Sequence, residues 1–64
     1  MSKYEGMTTN ERLWEAGILD SFDEAMRELD GVRMKELLVM VDLDDQADHI
    51  VETILRNPEL YIPR

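Results

Sequence analysis

Two consecutive runs of apolar residues at helical spacing constrain this chain more than anything else in it. Met34, Leu37, Leu38 and Val41 fall at i, i+3, i+4 and i+7, which places all four on one face of a helix. Leu43 and Asp44 interrupt, and Ala47, Ile50, Val51, Ile54 and Leu55 then repeat the spacing. Two apolar faces joined by about three residues predict a helical hairpin across Asp30–Leu55, with the rest of the chain packed against it. Strand-type alternation is absent. The expected fold class is therefore all-α, a small bundle of three to four short helices.

Sixty-four residues allow one domain with a small core. A chain of this size buries only roughly 60% of the surface its unfolded form exposes, so stability is marginal unless something adds to it. Without cysteine, neither a disulfide nor a thiolate metal site can contribute. A homodimer would extend the core and is a natural expectation. Fifteen acidic residues against seven basic ones give a net charge of −8. That field repels phosphate backbones and anionic membranes, so neither nucleic acid nor membrane is expected as a partner. A basic protein partner is favoured, although acidity also serves plain solubility. No apolar run approaches the roughly 18 residues that span a bilayer. The start, Met1-Ser2-Lys3-Tyr4-Glu5-Gly6, lacks the apolar segment of a signal peptide, so a cytoplasmic location is expected.

Residues 1–7 show no periodicity and read as a flexible arm. Residues 8–57 form the helical domain, and 58–64 a tail in which Leu60, Tyr61 and Ile62 are apolar enough to fold over the bundle. Thr8-Thr9-Asn10-Glu11 fits a capping box that opens a helix over about Thr9–Ala16. Gly17 sits where a helix ends in a left-handed residue, with Leu13 and Ile18 at the positions of a Schellman stop. The competing reading runs one helix through Gly17, at a cost of about 1 kcal/mol. Trp14, Ile18, Phe22, Ala25, Met26 and Leu29 would then share a stripe. Ser21-Phe22-Asp23-Glu24 fits a second capping box, so the next helix starts between Leu19 and Ser21 and ends near Leu29. Asp30 is placed to cap the third helix and Asp44 the fourth, and Asn57-Pro58 to stop the fourth.

Candidate sites are few. Asp42, Asp44, Asp45, Asp48 and Glu52 suggest calcium, but an EF-hand loop counted from Asp42 needs Gly and Glu where Ala47 and Thr53 stand. No metal or cofactor is expected. Asp45, Asp48 and Glu52 at i, i+3 and i+7 read as an acidic helix face, either solvated or docked on a basic partner. Asp20, Glu24 and Glu28 make a second acidic row, with Asp23 and Arg27 able to pair beside it. General acid–base catalysis needs carboxylates held in a cleft with shifted pKa values, and short helices with solvated rows give no sign of one. No catalytic residue is assigned. His49 lies off the apolar face of its helix and is expected to be exposed. Trp14 is expected in the core, or else as an interface anchor. Val39 and Met40, off the stripe of their helix, form with Tyr61 a candidate apolar contact patch.

Two resemblances add to this. Gly17-Ile18-Leu19-Asp20-Ser21-Phe22-Asp23 resembles the attachment motif of acyl and peptidyl carrier proteins, which implies phosphopantetheine on Ser21. That match covers about a tenth of the chain. The long first helix and long loop that precede the serine in the family are missing. More broadly, Asn10-Glu11-Arg12-Leu13, Ala16-Gly17-Ile18-Leu19, Phe22-Asp23, Val41-Asp42-Leu43 and Thr53-Ile54-Leu55 with Pro58 and Tyr61 resemble a group of short uncharacterised bacterial helical proteins. In that group position 14 commonly holds a smaller aromatic, and residues 1–7 look like an extension. No activity comes with it. The expectation is a small acidic protein-binding module that occludes a basic partner, in the manner of inhibitors, immunity proteins or antitoxins. The alternatives are a carrier modified at Ser21 and a self-associating bundle.

Overall fold

The structure is a computed structural model in which residues 4–61 are described. Five helices follow in order: α1 Thr9–Glu15, α2 Leu19–Arg27, α3 Gly31–Val39, α4 Ala47–Arg56 and the single turn α5 Pro58–Tyr61. No strand occurs among the described residues. Each helix packs chiefly on the next, and the α3–α4 and α2–α3 contacts are the most extensive. The hairpin is antiparallel. A Cβ built on Gly31 would lie 3.3 Å from Val51 Cγ1 and 3.5 Å from Leu55 Cδ1, while farther along α3 Lys35 reaches Asp48. Leu13, Met34, Leu38 and Val41 are the most deeply buried side chains, and Phe22, Leu37, Leu43, Val51 and Ile54 complete the centre.

The helix ends explain most of the architecture. The Thr8 hydroxyl accepts from the Glu11 N–H at 3.2 Å and the Glu11 carboxylate accepts from the Thr8 N–H at 3.1 Å, a complete capping box. The bond from the Thr8 backbone, with that from its side chain, lowers the Glu11 pKa from its ordinary 4.5. A carboxylate whose pKa falls on folding contributes stability above its unfolded pKa, and loses it as pH drops through the folded value. Melting curves should therefore show wild type ahead of Glu11→Gln near neutrality, the gap closing in acid; a gap independent of pH would contradict this.

Gly17 breaks the chain at φ +75, which rules out the continuous helix. Ile18 N–H donates to the Leu13 carbonyl at 2.9 Å and Gly17 N–H to that of Trp14 at 3.0 Å, a Schellman stop. The same hydrogen-bond pattern ends α2 at Leu29 (φ 54) and α3 at Asp42 (φ 61), neither of them glycine. Ile18 and Asp30 each end one helix and cap the next, so the first two turns are very short. Asp30 Oδ1 accepts from the Arg33 N–H at 3.0 Å, as expected of a cap.

A left-handed leucine costs about 1–2 kcal/mol relative to right-handed backbone, part of which glycine would return to unfolded-state entropy. Leu29 is half exposed, so Leu29→Gly sacrifices little packing. It should stabilise the fold by about 0.5–1 kcal/mol, seen as a higher urea midpoint with an unchanged slope. A loss of stability would mean that the Leu29 side chain matters more than its backbone.

Several expectations need correction. Ser21 is not a cap. Helix α2 already begins at Leu19 with Ile18 as its N-cap, because the Schellman stop leaves no slack for a later start. Asp44 does not cap α4 either: the chain leaves α3 through Asp42, buries Leu43, and turns with Gln46 N–H on the Leu43 carbonyl at 3.0 Å. Helix α4 therefore opens at Ala47 behind Gln46, with no side-chain cap, and the hairpin connection is residues 40–46 rather than about three. Tyr4, expected in a loose arm, is buried in the core, and Met7 N–H closes a turn onto its carbonyl at 3.0 Å; residues 1–3 lie outside the described residues. In the tail Leu60 is 78% and Tyr61 48% exposed, and Ile62 lies outside the described residues.

Candidate interaction surface

The expected acidic row on α4 is only partly a row. Asp45 precedes the helix, in the turn that delays its start. Asp48 sits in the first turn and pairs with Lys35 Nζ at 3.0 Å. Glu52 pairs with Arg56 four residues on, at 2.6 Å. Both pairs are exposed, so each is worth at most about 1 kcal/mol. Their consequence is electrostatic: three carboxylates against two cations leave little local excess of negative charge. His49 is exposed, and its carbonyl accepts from the Thr53 hydroxyl at 2.8 Å.

Val39 and Met40 are exposed, as is Tyr61, but the three do not share a site. Val39 and Met40 stand at the end of α3, beside the long connection. Tyr61 borders a separate groove of about 560 Å³, floored by Phe22, Met26, Ile50 and Ile54 and rimmed by Thr8, Thr53 and Leu60. Ser21 lies half-buried in the first turn of α2, in a small hollow with Glu24, Glu28, Asp30 and Arg33. Among the described residues no group of three or more His, Cys, Asp or Glu is close enough to hold a metal ion, and no helix is long and apolar enough to cross a membrane.

The main departure is Trp14, which is 71% exposed rather than buried. The stripe that would have carried it inward depended on a helix continuous through Gly17. Once α1 stops, Leu13 takes the inward position, and the next residue, rotated by about 100° on a helix, faces out. Trp14 borders a hollow with Gly17, Leu19 and Asp20. Leu29, Val32 and Leu55 are also exposed large apolar residues that the sequence reading did not place at the surface.

Arg12 is the other residue whose role the pattern did not show. Its Nε donates to the Met7 carbonyl at 3.2 Å and its Nη1 to the Val41 carbonyl at 3.0 Å. One guanidinium thus ties the segment before α1 to the end of α3. Comparison with protein-family models, curated proteins and solved structures finds no match to this chain.

Proposed function

We propose that this chain is a small acidic protein-binding module, working in the cytoplasm by occluding a basic protein partner. One observation carries the reading: a chain of net charge −8 keeps large apolar side chains in solvent, Trp14 foremost. Aromatic anchors within a field of one sign suit recognition of a partner of opposite charge, with the charge setting the encounter rate and the apolar contacts the lifetime. The group of short bacterial helical proteins that the sequence resembles agrees in size and class, and contributes no activity.

The test is capture from the source cell at low and then moderate salt, followed by kinetics with the captured protein. Changing Asp45 and Asp48 to Asn together with Glu52 to Gln removes three of the chain's negative charges and frees Lys35 and Arg56 to repel a cationic partner. Association should slow several-fold at low salt and lose much of its salt dependence. Stability should change by no more than about 2 kcal/mol, since all three residues are exposed and each of the two ion pairs lost is worth at most about 1 kcal/mol. A partner that binds without salt dependence, or one that is itself acidic, would remove this reading.

A further inference from the structure

We propose that the hollow beside Trp14 is a reading point for an arginine side chain of the basic partner; this rests on the proposed function and specifies its chemistry. Trp14 is the sole tryptophan of the chain, and its ring is left largely in solvent at the end of α1. Gly17 borders the same hollow, and its side of it is open: at its φ of +75, a Cβ would find nothing within 4 Å. Leu19 lends the hollow an apolar wall, and Asp20, exposed in the first turn of α2, contributes a carboxylate. The residues around the hollow therefore carry an aromatic ring, an apolar side chain and a carboxylate.

The surroundings fix the sign of the ligand. Between residues 10 and 24 the chain carries Glu11, Glu15, Asp20, Asp23 and Glu24 against Arg12 alone. The Arg12 guanidinium is already directed at the carbonyls of Met7 and Val41. Glu11 is engaged by the Thr8 cap. Glu15 and Asp20 have no ion-pair partner among the described residues, in contrast to Asp48 and Glu52. A guanidinium is planar, weakly hydrated and rich in donors, so it can lie on an indole while an edge N–H reaches a carboxylate. An ammonium is more strongly hydrated and lacks the flat face. A second copy of this chain is a poor occupant. A two-fold contact centred on Trp14 would bring Glu15 and Asp20 of both copies into one interface, on molecules that each carry −8.

The single tryptophan gives one indole N–H resonance, so the site can be watched directly in ¹⁵N-labelled protein. A tetra-arginine peptide and a tetra-lysine peptide are titrated at low salt. The indole resonance and the Gly17 and Asp20 amides should shift saturably with the arginine peptide, and affinity for the lysine peptide should be about two- to fivefold weaker. Asp20→Asn should weaken the arginine peptide by a similar factor. Trp14→Leu, followed at the Gly17 amide, should abolish the preference for arginine while weak salt-dependent binding persists; Trp14→Phe should retain part of the preference. Because residue 14 is exposed, both variants should melt as wild type does.

Equal curves for the two peptides, with shifts spread over Asp45 and Asp48, would overturn this inference while leaving the basic-partner reading standing. No shift with either peptide also overturns it, and the basic-partner reading is then decided by the capture experiment. An indole shift that depends on protein concentration without peptide would assign the hollow to a second copy and overturn it as well.

Discussion

Leu38→Ala should cost about 2–4 kcal/mol, and Ile54→Ala a similar amount. Leu38 is completely buried and Ile54 nearly so, one on each helix of the hairpin that supplies most of the core. Truncation removes the transfer energy of the lost methyl groups and leaves a cavity that short helices held by tight turns cannot close. Small domains have about 5–15 kcal/mol in total, and each kcal/mol shifts the melting temperature of one this size by about 4–8 °C. Either variant should therefore melt about 8–30 °C lower by that conversion. Leu55→Ala is the internal control. It belongs to the same apolar run in the sequence, but at 40% exposure it should lose less than about 1.5 kcal/mol. Urea unfolding of the three variants gives the answer. Losses below about 1 kcal/mol at both Leu38 and Ile54 would mean that these faces do not form the core.

Leu55 also shows how far the pattern could be read. Helical spacing identified the hairpin and nearly all of its buried residues, because burial of one face is a property of a single helix. It could not say how wide that face is, since the width depends on what the neighbouring helix covers. The first capping box and the stop at Gly17 were legible because all their hydrogen bonds close within a few residues. That α2 ends near Leu29 was legible, but the left-handed backbone at Leu29 and at Asp42 was not. There a non-glycine residue takes the left-handed conformation, and the reason lies in where the next helix has to start rather than in the residue itself. Ser21 and Asp44 failed as caps for the related reason that a cap must sit at the boundary, and the preceding turns moved both boundaries.

The interaction surface was less legible than the fold. The acidic spacing on α4 holds for Asp48 and Glu52 but not for Asp45, which precedes the helix, and the cations that pair with it lie on α3 for Asp48 and one turn along α4 for Glu52. Only the second is visible as an i, i+4 relation in the sequence. Trp14 was expected in the core as the chain's one large aromatic anchor, a preference of residue type that its outward position on α1 overrides. One local clue pointed outward. Glu11 and Glu15, an acidic pair at i, i+4, lie beside Trp14 on the helix surface, about 60° and 100° around from it, and two like charges one turn apart belong in water.

Arg12 should rival the core residues in its effect. Its guanidinium donates to the carbonyls of Met7 and Val41 from a half-buried position, so the bonds are partly shielded from solvent. Neither carbonyl can be served by a helix in its place: Met7 precedes α1, and Val41 lies beyond the end of α3. Hydrogen bonds from a charged donor contribute about 1.5–3 kcal/mol, and acceptors left without a partner add a desolvation cost. Arg12→Met keeps the aliphatic stem but removes both donors, and should cost about 2–3 kcal/mol. Arg12→Lys should recover no more than about half, because an ammonium on a single stem does not reproduce the two-pronged geometry. The second readout is coupling to Tyr4, whose burial depends on the same segment being held down. In a double-mutant cycle of Arg12→Met with Tyr4→Ala, the combined loss should fall short of the sum by at least about 0.5 kcal/mol. That shortfall would follow because releasing the segment at either point releases it at both. Additive losses, or a cost under about 0.5 kcal/mol for Arg12→Met, would show that the guanidinium rests on the surface without holding the two segments together.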